Sequence, residues 1–365
     1  MVPVNIPTQD DIVSGFCIRQ ARDDDRERII ALVSKMWAED ITARYEWLYL
    51  SNPHGRALTW LAIENITGEI AGCTSIFPRR VIVDGHERLG AIGGDCYVEP
   101  RARRRGLATA LHRESLTGMR ESGIDFMYGP PNSNNLGALV RAGSRVVTDF
   151  KRCVRPLTGR AVYRAAFDRP PTKLEERLAD LTVMAWDRLI RAGANGITLE
   201  PVAEFGQEFD SLFERAAPGR SIVCARDSRY LTWRYLAAPS NCQRPFAIRR
   251  DGELLGFAAL ESSGEQAAIV DFFTVSDSKL IDAALQLILD EAMAAGRASL
   301  EMSCTPEHVI QSRLRRMGFI GRSGRGFQVA ASDQDPQLET LLNPDAWHFL
   351  AADQDMDTFF SPPPE

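Results

Sequence analysis

Arg103, Arg104 and Arg105 stand side by side, run into Gly106, and lead into Leu107, Ala108 and Thr109 in a stretch with helical patterning. Adjacent guanidiniums repel one another unless an anion sits among them. A helix N-terminus offers such an anion unpaired backbone N–H groups and the positive end of the helix dipole. A glycine lets the anion approach the backbone, and phosphate is the usual guest. Just upstream, "GGDCYVEP" reads as a strand carrying Asp95, Cys96, Tyr97 and Val98. Asp95 and Tyr97 alternate onto one strand face. There a carboxylate can take a proton or anchor the group to be modified, and a phenol can give a proton. Cys96 raises a covalent route, although a lone strand cysteine is more often a small buried apolar residue.

The elements that must position these groups follow from the pattern around them. "FCIRQA" reads as a strand, and "RDDDRERIIALVSKMW" as a helix favoured by aspartates at its start. "LTWLAIEN", a turn at "ITGEI", and "AGCTSIFPRRVIVDG" read as strand, turn and strand. After the Gly106–Glu121 helix come a strand at "IDFMYGP" and a short helix at "NLGALVRAG" ended by glycine. The chain of 365 residues suggests about two domains. Hydrophobic residues at 44% and charged residues at 25% are ordinary for a globular protein.

A net charge of −6 makes the arginine cluster a local feature and argues against nucleic acid as a partner. Seven scattered cysteines and five dispersed histidines argue against a disulfide framework or a metal centre. Cys304 and His308 in "CTPEH" fit a strand–helix junction better than a catalytic pair. No apolar run is long enough to span a membrane, and the N-terminus lacks signal-peptide patterning. A cytoplasmic location fits these features.

Four short patterns recur in order. "WLYLSNP" returns as "WRYLAAP", "GEIAG" as "GELLG", "DCYV" as "DFFTV" and "LVRAG" as "LRRMG". This ordering implies an internal duplication, in which the paired Trp47/Tyr49 and Trp233/Tyr235 fit a core role better than an acceptor cleft. Between the copies, Thr172 and Glu175 form a capping-box pattern. Leu174, Leu178, Leu181, Ala185 and Leu189 share one helical face, expected to pack on a domain.

Arg103 to Ala108, set between a strand and a helix, resembles the Arg/Gln-x-x-Gly-x-Gly/Ala motif of the GCN5-related N-acetyltransferases (GNAT). The likeness covers about residues 14–150 well and about 200–330 as a weaker repeat. It implies an α+β fold of two tandem GNAT-like domains, each a mixed, mostly antiparallel central sheet flanked by helices. The expected boundaries are 1–155 for the domain with the acyl-CoA site and 156–198 for a connecting helix region. A degenerate domain at 199–332 and a tail at 333–365 follow, with the end "DMDTFFSPPPE" partly disordered.

By resemblance, Cys96, Val98, Arg103, Arg104, Arg105, Gly106, Leu107, Ala108, Thr109, Asn132 and Asn134 hold acetyl-CoA or a longer acyl-CoA, with no metal. Asp95 and Tyr97 are the catalytic candidates. The family often has a tyrosine four residues before the glycine of "LVRAG" as proton donor, and here that position is Leu139. The expected activity is direct transfer of an acyl group to a small or lipid-like amine. Runner-up readings are a long-chain N-acyltransferase, an aminoacyl-tRNA-dependent transferase and a non-catalytic acyl-CoA-binding protein. Peripheral membrane contact and oligomeric state stay open.

Overall fold

The computed structural model describes residues 13–356 apart from 14, 168, 195 and 307–309. His308, residues 1–12 and residues 357–365 lie outside the described residues. The first half contributes strands β1 (Phe16–Gln20), β2 (Leu58–Glu64), β3 (Ile70–Val83), β4 (His86–Val98), β5 (Phe126–Gly129) and β6 (Arg145–Pro156). Its helices are α1 (Arg26–Trp37), α2 (Thr42–Arg44), α3 (Leu107–Glu121) and α4 (Ser133–Ala142). Helices α5 (Gly159–Ala166) and α6 (Lys173–Ile190) connect the halves.

The second half adds β7 (Ile197–Pro201), β8 (Ile222–Cys224), β9 (Gln243–Arg250), β10 (Glu253–Ser263), β11 (Gln266–Thr274) and β12 (Ser299–Cys304). It ends with β13 (Ile320–Gly321), β14 (Arg325–Ala331) and β15 (Trp347–His348). Its helices are α7 (Gln207–Ala216), α8 (Ser228–Leu231), α9 (Ser278–Ala294), α10 (Gln311–Arg316) and α11 (Leu338–Leu342).

All these strands join one mixed sheet, whose main path runs β1-β2-β3-β4-β5-β14-β6-β12-β11-β10-β9-β7. Strand β14, from near the end of the chain, lies between β5 and β6 and pairs antiparallel with both. β6 then continues past β14: its Lys151–Pro156 segment pairs with β12. The first half's sheet is thus completed by a strand from late in the second half.

The repeats take matching structures. "YEWLYL" and "TWRYL" each form a wide helical turn, with Ser51 N–H reaching Glu46 O and Ala237 N–H reaching Thr232 O. The two turns face each other. Trp47 and Trp233 stack with centroids 4.6 Å apart, and each indole N–H donates to the other's backbone carbonyl at 2.9 and 3.0 Å. Gly72 and Gly256 hold equivalent close approaches, since a Cβ would sit 2.9 Å from Tyr97 O and 2.8 Å from Phe273 O respectively. Both aromatic pairs are buried core, as their duplication suggested.

Two expectations change. Residues 333–356, read as a tail, are built into the core: Trp347, Phe349 and Leu350 are buried, and Trp347 and Phe349 pack on Tyr128 and Phe327. The apolar face of α6 also points outward, with Leu174 at 68%, Leu181 at 62% and Leu189 at 78% exposure. The helix docks instead by its polar side. Asp187 receives Arg155 Nη2 at 2.5 Å, and Asp180 receives Gly159 N–H at 2.6 Å. The capping box forms as read, Thr172 and Glu175 exchanging bonds at 2.7 and 3.3 Å.

A chain cut to residues 1–160 therefore leaves β5 and β6 without the strand that joins them. It is expected to lack the cooperative melting of the full chain; a sharp thermal transition with native amide protection in β5 and β6 would contradict this topology.

Candidate active site

β4 and β5 run parallel for only three paired residues, Gly90 to Ile92 against Phe126 to Tyr128. Beyond Ile92 they diverge, and β5 turns its other edge to β14. The gap is a cavity of about 340 Å³. One wall is Gly93 to Cys96, the other Met127 to Asn132, with Trp37 and His112 also lining it. Gln354, Asp355 and Met356 cross it from the end of the chain.

A bulge shapes the first wall. Cys73 pairs with Tyr97 and Ser75 with Gly94, so Asp95 and Cys96 together face Thr74. Asp95 takes φ +46°, a left-handed conformation rare for a non-glycine residue. Three donors hold its buried carboxylate: Arg44 Nη1 at 2.6 Å, Tyr49 OH at 2.7 Å and Trp37 Nε1 at 3.1 Å. These bonds occupy three of its roughly four acceptor sites, two on Oδ2 and one on Oδ1. Asp95 is thereby held in the bulge by charged and polar partners rather than standing free in the cavity. Tyr97 is also moved from its expected role. Its ring packs on the core beneath the Arg103 guanidinium, 5.7 Å from it, and does not line the cavity.

Cys96 does line the cavity, but burial pushes its thiol up to about 12. A thiol held protonated is a poor nucleophile at neutral pH.

The arginine loop ends at α3 as the sequence implied. Arg104 and Gly106 take left-handed conformations, φ +62° and +81°, and Gly106 precedes the helix with no side chain capping its first N–H groups. Among the described residues, a Cβ on Gly106 would meet only Val13 Cγ2, at 3.9 Å, which leaves room in front of the helix. Arg103 to Gly106 are exposed. Arg103 Nε donates to Val98 O at 2.9 Å, and the Arg105 guanidinium lies 4.7 Å from the Phe16 ring. Leu107 is buried and anchors the helix in the core, while Ala108 and Thr109 are half-buried in its first turn. These residues fit the phosphates of a coenzyme A.

The equivalent helix of the second half differs at this point. Asp277 caps α9 itself, accepting from Lys279 N–H at 2.8 Å and Leu280 N–H at 3.2 Å. Its own carboxylate fills the place an anion would take.

Asn132 caps α4, accepting Asn135 N–H at 2.8 Å, and lines the cavity. Asn134 is exposed and stays outside the cavity; Asn135 takes that place, its Oδ1 2.8 Å from His112 Nε2. Helical spacing explains the exchange, because residues 132 and 135 share a face and 134 does not. Burial lowers His112, which keeps its ring neutral. Leu139, at the position where the resemblance would place a tyrosine, is buried in the cavity wall.

Sequence reasoning missed Asp355. Its carboxyl is pushed up to about 6 by burial and by the nearby charge of Asp95, against the pull of Arg44 and Arg79. It lies 3.8 Å from Arg44 Nη2. A Cβ on Gly94 would stand 2.0 Å from Asp355 Oδ2, so only glycine lets this segment cross β4. The Gly93–Gly94 pair inside a strand was the available signal, since strand glycines mark close backbone approach. Among the described residues, no cluster of His, Cys, Asp and Glu could hold a metal, and no helix is long and apolar enough to cross a membrane.

Residues 17–136 match the family model of an acetyltransferase (GNAT) domain. A comparison with curated proteins found no match. Among solved structures, the chain is similar to a probable N-acyltransferase from Enterococcus faecalis V583. That match has a TM-score of 0.65 and 13% identity, over 89% of this chain and 74% of that one. It is also similar to Saccharomyces cerevisiae N-myristoyltransferase with bound myristoyl-CoA, at TM-score 0.57 and 13% identity over 87% and 79%. Eis1 from Mycobacterium abscessus aligns at TM-score 0.55 and 17% identity over 90% and 76%. The model match covers the first-half strands and helices around the cavity, and the α+β fold of the whole chain is shared with these solved structures.

Two outcomes test the anion site. Calorimetric titration with coenzyme A is expected to give one site per chain, because Asp277 closes the second helix. Gly106→Glu is expected to abolish that binding in a folded protein, since its carboxylate would stand where the anion sits; unchanged affinity would refute the assignment.

Proposed function

We propose that the chain is an acyl-CoA-dependent N-acyltransferase that passes an acetyl or longer acyl group directly to an amine. The observation that carries this reading is the uncapped N-terminus of α3 standing at the end of the β4 bulge, with the open side of β4 leading into the cavity. Arg103, Arg104, Arg105 and the first-turn N–H groups would hold the pyrophosphate. The unpaired edge of β4 from Gly93 to Val98 would pair with the extended arm.

The amine must lose a proton before or during attack on the thioester carbonyl, and the C–S bond then breaks as a thiolate leaves. Asp355 supports the proton transfer. A carboxylate raised to about 6 is still ionised at neutral pH and is a stronger base than an ordinary aspartate. Once protonated, it is also the acid within the cavity, which suits a site where Leu139 replaces a phenol. Asp95, Tyr49 and Arg44 would act on Asp355 by fixing its position and charge.

Asp355→Asn is expected to lower kcat by about 10²–10⁴-fold. The wild-type rate should fall as pH drops through about 6, because protonation removes the base. That acidic limb should vanish in the variant. Wild-type kcat with an intact limb would exclude Asp355. Cys96→Ala should keep most activity, and intact mass should show no acylated enzyme; a stable adduct on Cys96 would overturn direct transfer.

A further inference from the structure

A second cavity, of about 270 Å³, opens on the second half of the sheet and adjoins the first, the two sharing Arg325, Gln354 and Met356 in their walls. Three arginines and one glutamate line it: Arg152, Arg234, Arg325 and Glu301. Glu301 is spoken for, receiving Arg152 Nε at 2.6 Å. Arg234 is only 1% exposed, and its Nε and Nη1 are buried without a hydrogen-bond partner. Among the described residues no carboxylate lies within ion-pair distance of it, and its guanidinium rests 5.7 Å from the Trp47 ring. Burying an unpaired guanidinium is among the costliest arrangements a fold can keep. Close by, Gln243 Nε2 donates to Glu261 at 3.0 Å, which fixes the amide and leaves its buried Oε1 without a donor. Both orphaned groups belong to residues lining this cavity.

We propose that this cavity binds an oxyanion on the amine acceptor, held by Arg234 and Arg325, with a neighbouring N–H or O–H of the acceptor given to Gln243. The acceptor class is then an amine that also bears a carboxylate or a phosphate. Its charged end would sit in the second half's cavity while its amino group enters the first, beside Asp355. This inference rests on the acyltransferase reading for the word acceptor; the anion site itself does not. The second half, whose own helix terminus is closed by Asp277, would thereby supply substrate selection.

The test uses the full chain saturated with coenzyme A, so that the α3 site is filled. Titration with inorganic phosphate should reveal one further site, lost in Arg234→Met. Without phosphate, Arg234→Met should melt at or above the wild-type temperature, because it removes a buried unpaired charge; a purely structural arginine would leave a less stable protein. Thiol release is then measured with matched acceptors: an amino acid against its carboxamide, and an amino sugar phosphate against the unphosphorylated sugar. One charged member should show at least about tenfold higher kcat/KM, and which pair discriminates identifies the anion as carboxylate or phosphate. Arg234→Met should erase that preference through KM, and Arg234→Lys should restore part of it. No phosphate site together with equal use of charged and neutral amines overturns the proposal while leaving acyl transfer intact. An Arg234-dependent phosphate site in a protein that acylates no amine upholds the anion site and removes the acyltransferase reading.

Discussion

Two buried guanidiniums hold the two halves to one short segment of chain. Arg44 lies between Asp95 of β4 and Asp355, and Arg226 between Asp271 of β11 and Asp353. Both arginines and both sheet aspartates are buried, and a tyrosine hydroxyl completes each cluster, Tyr49 at 2.7 Å and Tyr235 at 2.8 Å. Removing one partner from such a cluster strands an uncompensated charge and costs about 3–5 kcal/mol. The segment Ala351 to Met356 is therefore fixed from both sides. It is the same segment that carries Asp355 across Gly94 and closes both cavities. The placement of the candidate base follows from electrostatics that also hold the halves together.

The duplicated copies diverge in a physically legible way. Each keeps the tryptophan turn, the glycine that lets neighbouring strands approach, and the aspartate–tyrosine contact. They part at the helix that follows, since both strands carry a bulge beside the shared aspartate. α3 begins at a glycine with its N–H groups uncapped, whereas α9 begins with an aspartate that consumes them. One carboxylate at a helix start is enough to exclude a bound phosphate, by occupancy and by repulsion.

Local patterns in the sequence carried the first half's elements far. β1 to β5, α1, α3 and α4 follow from alternation, helical periodicity and caps, and "RRRGLA" pointed to a candidate anion loop because its chemistry is contiguous. The repeats also pointed to elements that pack alike. The insertion of β14 left no local trace. "RGFQVAA" reads like any strand, and nothing within it names β5 and β6 as partners nearly two hundred residues upstream. Asp355 was obscured by its setting among prolines and acidic residues near the chain's end, where burial is decided wholly by distant contacts. Of the two catalytic candidates, Asp95 lines the cavity and Tyr97 does not. Their roles were not readable, because Arg44, Tyr49 and Trp37 converge on Asp95 only in three dimensions. The apolar stripe of α6 shows the reverse error: periodicity reports amphipathicity, not which face finds a partner.

The position of β14 also constrains how the protein can be made. A ribosome delivers the arginine loop, the bulge and both edges of the β5–β6 gap long before residues 325–331 exist. At about 5–20 residues per second, that gap stays open for roughly ten seconds or longer. During this interval two unpaired strand edges are available to any other extended chain. The nascent first half must then wait for its last strand. Production of the protein should therefore be more sensitive to pauses in translating the second half than to pauses in the first.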